Sequence, residues 1–235
     1  MSVVICLLAA VVSGCSTQNA SEPSQTAPQK VAVLLDWFPN TNHTGLYVAQ
    51  DQGYYTAEGL DVTIVQPSGG SNPQLVATDQ ADFAVSYQEE VTTARSHDIP
   101  VVALAAVIQH NTSGFASLAT KNIKSPKDFE GKSYGGWGAP SETAVLKALM
   151  AQYDADFSKI EMVNIGDADF FASMERGIDF SWIFQAWTGI EAQLKNMPLN
   201  YISLRDENQV FDYYTPVLIT SENKIAQNPE LIRKF

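Results

Sequence analysis

Three carboxylates, Asp36, Glu89 and Glu142, stand where apolar runs that read as strands hand over to polar loops and helices. Held out of water at such a place, a carboxylate accepts charge-assisted hydrogen bonds that contribute about 1.5–3 kcal/mol each. Each would serve equally well as an ordinary charge at a helix N-terminus. Aromatic rings recur in the same setting. Trp37, Tyr87, Trp137, Trp187 and Tyr214 lie at the ends of predicted strands or in adjoining loops, whereas Trp182 and Phe184 fall inside a strand and read as core. A ring stacked on one of the former gains about 0.5–1.5 kcal/mol beyond its buried area. Asn42 and His43 add side chains that both donate and accept, although a lone loop histidine also suits packing. Bond-making machinery is not visible: HExxH and GxSxG are absent, and His97 and His110 are scattered. The turn Gly135-Gly136-Trp137-Gly138 matches neither GxGxxG nor a P-loop. Its glycines either let a ligand approach the backbone or simply make a tight turn. These residues point to recognition, with no catalytic group, cofactor or metal expected.

The elements that must carry these side chains alternate. Val31–Leu35 reads as a buried strand, Pro39 opens a polar loop, Thr41, Asn42 and Thr44 are candidate N-caps, and Asp61–Val65 is the next strand. Further strands are predicted at 81–86, 99–108, 131–136, 160–165, 178–184 and 199–204, with helices at 88–97 and 140–153. Alternation of this kind dictates a mostly parallel sheet covered on both faces. In such sheets small ligands settle where strands end and helices begin. The segments 112–120 and 213–220 are the expected crossings between two sheets.

The first fourteen residues are apolar and small and run into Val12-Ser13-Gly14-Cys15. That is shorter than the about 20 residues a membrane-spanning helix needs, and it reads as a lipoprotein signal with Cys15 as the acylated residue. No Lys or Arg precedes it. The polar, Pro-containing stretch 15–29 reads as a flexible tether. With Cys6 removed and Cys15 acylated, the folded part would contain no cysteine, hence no disulfide and no thiolate chemistry. The formal charge of −12 opposes nucleic-acid partners and adsorption to anionic lipid. At the other end Asn228-Pro229-Glu230 starts a helix five residues before the sequence stops, so further C-terminal helices are expected.

The block DWFPNTNHTGLYVAQDQGYY, followed by GLDV, resembles the opening of bacterial solute-binding lipoproteins that deliver thiamine pyrimidine precursors to ABC importers. The resemblance continues in SYQEEVTTAR, IQHNTSGFASL, SPKDFEGKSYGGWGAPSETA and WIFQAWTGIEA, and so covers nearly the whole chain after the leader. It implies a type II periplasmic-binding-protein fold with two α/β lobes. The first lobe would comprise 30–115 and 216–235, and the second 116–215. It implies hydroxymethylpyrimidine or formylaminopyrimidine as ligand, an ABC permease as partner, a monomer, and a lipid-anchored position on the outer face of a bacterial membrane. On that reading Trp37 and a facing aromatic stack on the ring, Glu142 or Glu89 binds its amidine-like edge, and Asn42 and His43 contact its substituent, with Asp36, Tyr87, Trp137 and Trp187 completing the pocket. Two rivals follow. Eukaryotic hydroxymethylpyrimidine phosphate synthases carry a similar Thr-Asn-His segment and use pyridoxal phosphate and iron, but their cysteine-rich motif has no counterpart here. Another flat heterocycle, such as a flavin, would suit the same groups.

Overall fold

The structure is a computed structural model that describes residues 27–66 and 71–235. The expected leader, Cys15, the first part of the tether and the tip of the Ser68–Pro73 loop lie outside the described residues. Ten strands are present among the described residues: β1 (Gln29–Leu34), β2 (Leu60–Val65), β3 (Phe83–Ser86), β4 (Val101–Ala106), β5 (Ser113–Leu118), β6 (Ser133–Gly136), β7 (Glu161–Asn164), β8 (Phe180–Phe184), β9 (Leu199–Ser203) and β10 (Val217–Ser221). They form two five-stranded sheets, ordered β2-β1-β3-β10-β4 and β7-β6-β8-β5-β9.

The two sheets share one plan. β1 pairs parallel with β2 and β3, and β6 pairs parallel with β7 and β8, as the alternating sequence requires. The exceptions are β10 and β5, each antiparallel to both of its neighbours. These are the strands by which the chain enters a sheet from the other lobe. Arriving on the side where the parallel strands end, each must run away from it. The central strand β3, Phe-Ala-Val-Ser, is buried throughout, and apolar clusters cover both faces of each sheet. Burial at about 25 cal/mol per Å² is what holds each lobe.

Three expectations need correction. The division after residue 115 cuts through β5, which lies wholly in the second sheet, so the chain passes between sheets after Ala106 and before Ser113. The first crossing is therefore upstream of the 112–120 segment, most of which is strand. The return falls between Phe211, packed in the second lobe, and Val217, which opens β10. Asn40, rather than Thr41, Asn42 or Thr44, caps the turn after β1, because its side-chain oxygen Oδ1 accepts from the Asn42 N–H at 2.9 Å.

Candidate functional site

The parallel strands of both sheets end facing one another, and the loops that follow them wall a cavity of about 320 Å³ between the lobes. From the first lobe come Asp36, Trp37, Asn42, Tyr87 and Glu89; from the second come Trp137 and Trp187. Sequence reasoning also placed His43 and Glu142 there, and neither reaches the cavity wall.

His43 is fully buried. Its Nδ1 accepts from the Asn40 N–H at 3.2 Å, so the proton sits on Nε2, which donates to Asp36 Oδ1 at 2.6 Å. The imidazole therefore backs Asp36 and fixes its direction instead of touching a ligand substituent. The short Asn40–His43 turn, with reciprocal capping at both ends, is what brings residues 36 and 43 together.

Beyond β3, Tyr87 leads into the helix Gln88–Ser96, with Glu89 and Glu90 in its first turn. Glu90 is engaged by the Ser86 and Ser71 hydroxyls at 2.5 and 3.2 Å. Glu89 differs: its Oε2 is buried without a hydrogen-bond partner. Burial above all, with a smaller push from Glu90 and against a backbone N–H, raises its carboxyl from 4.5 to about 7. Burial, followed by the neighbouring Asp36 carboxylate, holds the Tyr87 hydroxyl well above its ordinary range.

In the second lobe, β6 ends at Gly136 and the chain turns through Trp137-Gly138-Ala139 into the helix Pro140–Ala151. Glu142 is 1% exposed and faces back into this turn. Its Oε1 accepts from the Tyr134 hydroxyl at 2.6 Å and the Trp137 N–H at 3.2 Å; its Oε2 accepts from the Gly138 and Ala139 N–H groups at 2.7 and 2.8 Å. All of its acceptor capacity is spent locally, which is why it cannot serve a ligand edge as expected. A side chain at Gly136 would meet Oε1 at 2.2 Å, so this glycine lets the carboxylate seat. Trp137, carried on the same turn, projects into the cavity.

The remaining wall comes from the ends of β7 and β8. Asp167 and Asp169 follow β7, and Asp169 caps the helix Phe170–Glu175 by accepting from the Ala172 N–H at 3.0 Å. Past β8 the chain makes a π-helical turn, Gln185–Gly189, that carries Trp187. Turns of this kind recur at functional sites. Trp182, read from sequence as core, is only half so: it packs 5.3 Å from Phe115 on one side and 5.6 Å from Trp137 on the other, and it lines the cavity. Tyr214 is half exposed and takes no part in the wall. The strand-end rule that picked out Asp36 would have found Asp167. Trp182 was missed because a single strand face can serve core and cavity together.

Ser181 Oγ and Trp182 Nε1 join Glu89 Oε2 as buried polar atoms of the cavity wall with no partner among the described residues. Leaving such a group unpaired costs about 1–3 kcal/mol. Residues that bear two hydrogen-bond donors, one carboxyl and several aromatic rings surround one space.

Comparison with known proteins agrees with this architecture. A formylaminopyrimidine-binding protein of Halalkalibacterium halodurans is 38% identical over 246 residues, covering 99% of this chain and 71% of that protein. The riboflavin-binding protein RibY of Chloroflexus aurantiacus is 27% identical over 247 residues, covering 97% of this chain and 69% of its own length. Among solved structures, the periplasmic aliphatic sulphonate binding protein of Escherichia coli superposes with a TM-score of 0.66 at 13% identity, covering 88% of this chain and 69% of that one. That likeness fixes the fold as the two-lobed periplasmic-binding-protein type. The sequence profile described as NMT1/THI5 like matches residues 40–235, and with it the chain belongs to the NMT1/THI5-like family.

Proposed function

We propose that this chain is the extracytoplasmic solute-binding component of an ABC importer and that it captures a thiamine pyrimidine precursor, formylaminopyrimidine or hydroxymethylpyrimidine, between its lobes. The observation that carries the reading is the interlobe cavity itself: aromatic faces from both lobes with Glu89 Oε2, Ser181 Oγ and Trp182 Nε1 unpartnered on its wall. A planar ring offers faces to the tryptophans, and an amino group beside a ring nitrogen offers a donor–acceptor edge to Glu89. The similarity to the formylaminopyrimidine-binding protein supports the same choice. A ligand of about ten heavy atoms reaches micromolar affinity at about 0.8 kcal/mol per atom, below the ceiling of about 1.5 for small ligands.

Closure of the two lobes over the ligand, delivery to a permease, a monomeric state and a lipid on Cys15 belong to the same proposal. Riboflavin is the second ligand reading, favoured by the similarity to the riboflavin-binding protein. Synthase chemistry is the reading less favoured by His43, which is buried with both ring nitrogens engaged by Asn40 and Asp36. Titration calorimetry with formylaminopyrimidine, hydroxymethylpyrimidine, thiamine and riboflavin tests the assignment. Micromolar or tighter binding of one of the first two is expected. Binding of an unrelated solute, with none of these four, would overturn the ligand class.

A further inference from the structure

The cavity lies at the amino ends of several helices, and such ends ordinarily attract anions through their free N–H groups. Here those donors are already answered by the chain's own carboxylates. Trp137, Gly138 and Ala139 direct three consecutive N–H groups into one nest at the start of the helix Pro140–Ala151, and Glu142 fills it with both carboxylate oxygens. Asp169 accepts one N–H, that of Ala172, at the short helix Phe170–Glu175, and Glu89 and Glu90 stand in the first turn of Gln88–Ser96. Toward the cavity the wall presents Asp36, Glu89, Asp167, Asp169 and Glu191, with neither Lys nor Arg among its described residues, although Glu191 pairs with Lys195 behind it at 2.6 Å. Ser181, a lining residue 4% exposed, keeps a hydroxyl with no partner among the described residues, a polar group a polar occupant could meet.

We propose that this site refuses anions by construction: Glu142 acts as a resident anion in the backbone nest, and Asp167 and Asp169 guard the wall, so the ring is taken up free of phosphate and its phosphate ester is rejected. The inference rests on the reading of the cavity as a solute site, and it adds the charge class of the solute. Glu142 touches no ligand; it is a specificity-determining residue that acts by occupation. Gly136 is part of the device, because any larger residue would displace that carboxylate. The carboxyl of Glu89, raised to about 7 by burial, fits the same picture of a wall with no cation to stabilise it.

The test compares matched ligands that differ only by phosphate: 4-amino-5-hydroxymethyl-2-methylpyrimidine with its phosphate ester, and riboflavin with its 5′-phosphate. Native protein should prefer the unphosphorylated member about 100-fold, the scale of setting a phosphate against several like charges at once. The Asp167→Asn/Asp169→Asn variant keeps a capping oxygen at 169 and should shrink that ratio about tenfold, with a shallower salt dependence. The Glu142→Ala/Tyr134→Phe variant empties the nest without orphaning the Tyr134 hydroxyl and should acquire binding of inorganic phosphate, which native protein ignores. If that variant does not fold, the aspartate pair decides alone. Equal binding of both members by native protein overturns the proposal, as does a ratio that neither variant moves. If the pyrimidine pair fails to bind and the flavin pair binds, the pyrimidine reading falls, and the flavin pair then decides the anion rule.

Discussion

Replacing Glu89 by Gln should stabilise the ligand-free protein, and only at high pH. Burial raises the carboxyl in the folded protein from 4.5 to about 7, so the folded state binds its proton more tightly than the unfolded chain does. Below about pH 4.5 the group is neutral in both states and contributes no penalty. Between 4.5 and 7 the folded state holds the extra proton, and stability falls as pH rises. Above 7 the penalty is complete, and the interval corresponds to about 3 kcal/mol. Glutamine keeps the shape and removes the titration. The difference in unfolding free energy between variant and native protein should therefore grow by about 3 kcal/mol from pH 4 to pH 8, which is about 6–12 °C in Tm for a chain of this size. Thermal or urea melts of both proteins at half-unit pH steps measure it, and a constant offset from the amide cancels in the slope. A difference that stays flat, or that runs in the opposite direction, would refute the argument that Glu89 sits buried without a compensating partner. The same substitution should weaken the ligand, because the free Oε2 is the acceptor offered to it.

Other outcomes follow from the same geometry. Trp37→Ala and Trp137→Ala should each weaken ligand binding by about 1–2 kcal/mol with little change in melting temperature; unchanged affinity in both would remove the tryptophans from the stacking role. His43→Ala should cost about 2–4 kcal/mol in urea unfolding, and should lower ligand affinity although His43 lies outside the cavity wall, because Asp36 loses its backing hydrogen bond. Gly136→Ala should destabilise by more than about 2 kcal/mol, since the new methyl meets Glu142 Oε1 at 2.2 Å and the Tyr134 ring at 2.6 Å, both buried. A melting curve matching the native protein would show that the turn gives way more easily than its contacts imply.

The strands were legible because their apolar runs are short and their punctuation is clear: the predicted 81–86 and 199–204 differ from β3 and β9 by two residues or fewer at either end. The run 112–120 was harder, since a strand that enters a new sheet antiparallel looks the same in sequence as one that continues the old sheet. Strand-end position picked out Asp36, Trp37, Tyr87, Glu89 and Trp137, all of which line the cavity, because in a parallel sheet that position directs a residue toward the cleft. It failed for Glu142 and His43 for a common reason. Both are polar side chains at the right address whose hydrogen bonds close locally, on the turn of residues 137–139 and on Asp36 and Asn40. Whether a polar group faces outward or satisfies its own loop is decided by backbone geometry that spacing does not encode. The missed partner, Asn40, offered only the general N-cap preference of Asn in sequence; its reciprocal bonds with His43 are seen in the structure.

The central claim is that both lobes hold one planar ring, and a crystal structure grown with formylaminopyrimidine tests it most directly. The ring should lie in contact with Trp37 or Tyr87 of the first lobe and with Trp137, Trp182 or Trp187 of the second, its amino-bearing edge within hydrogen-bond distance of Glu89 Oε2. Density for the ligand against one lobe alone, or outside the interlobe cavity, would contradict the account.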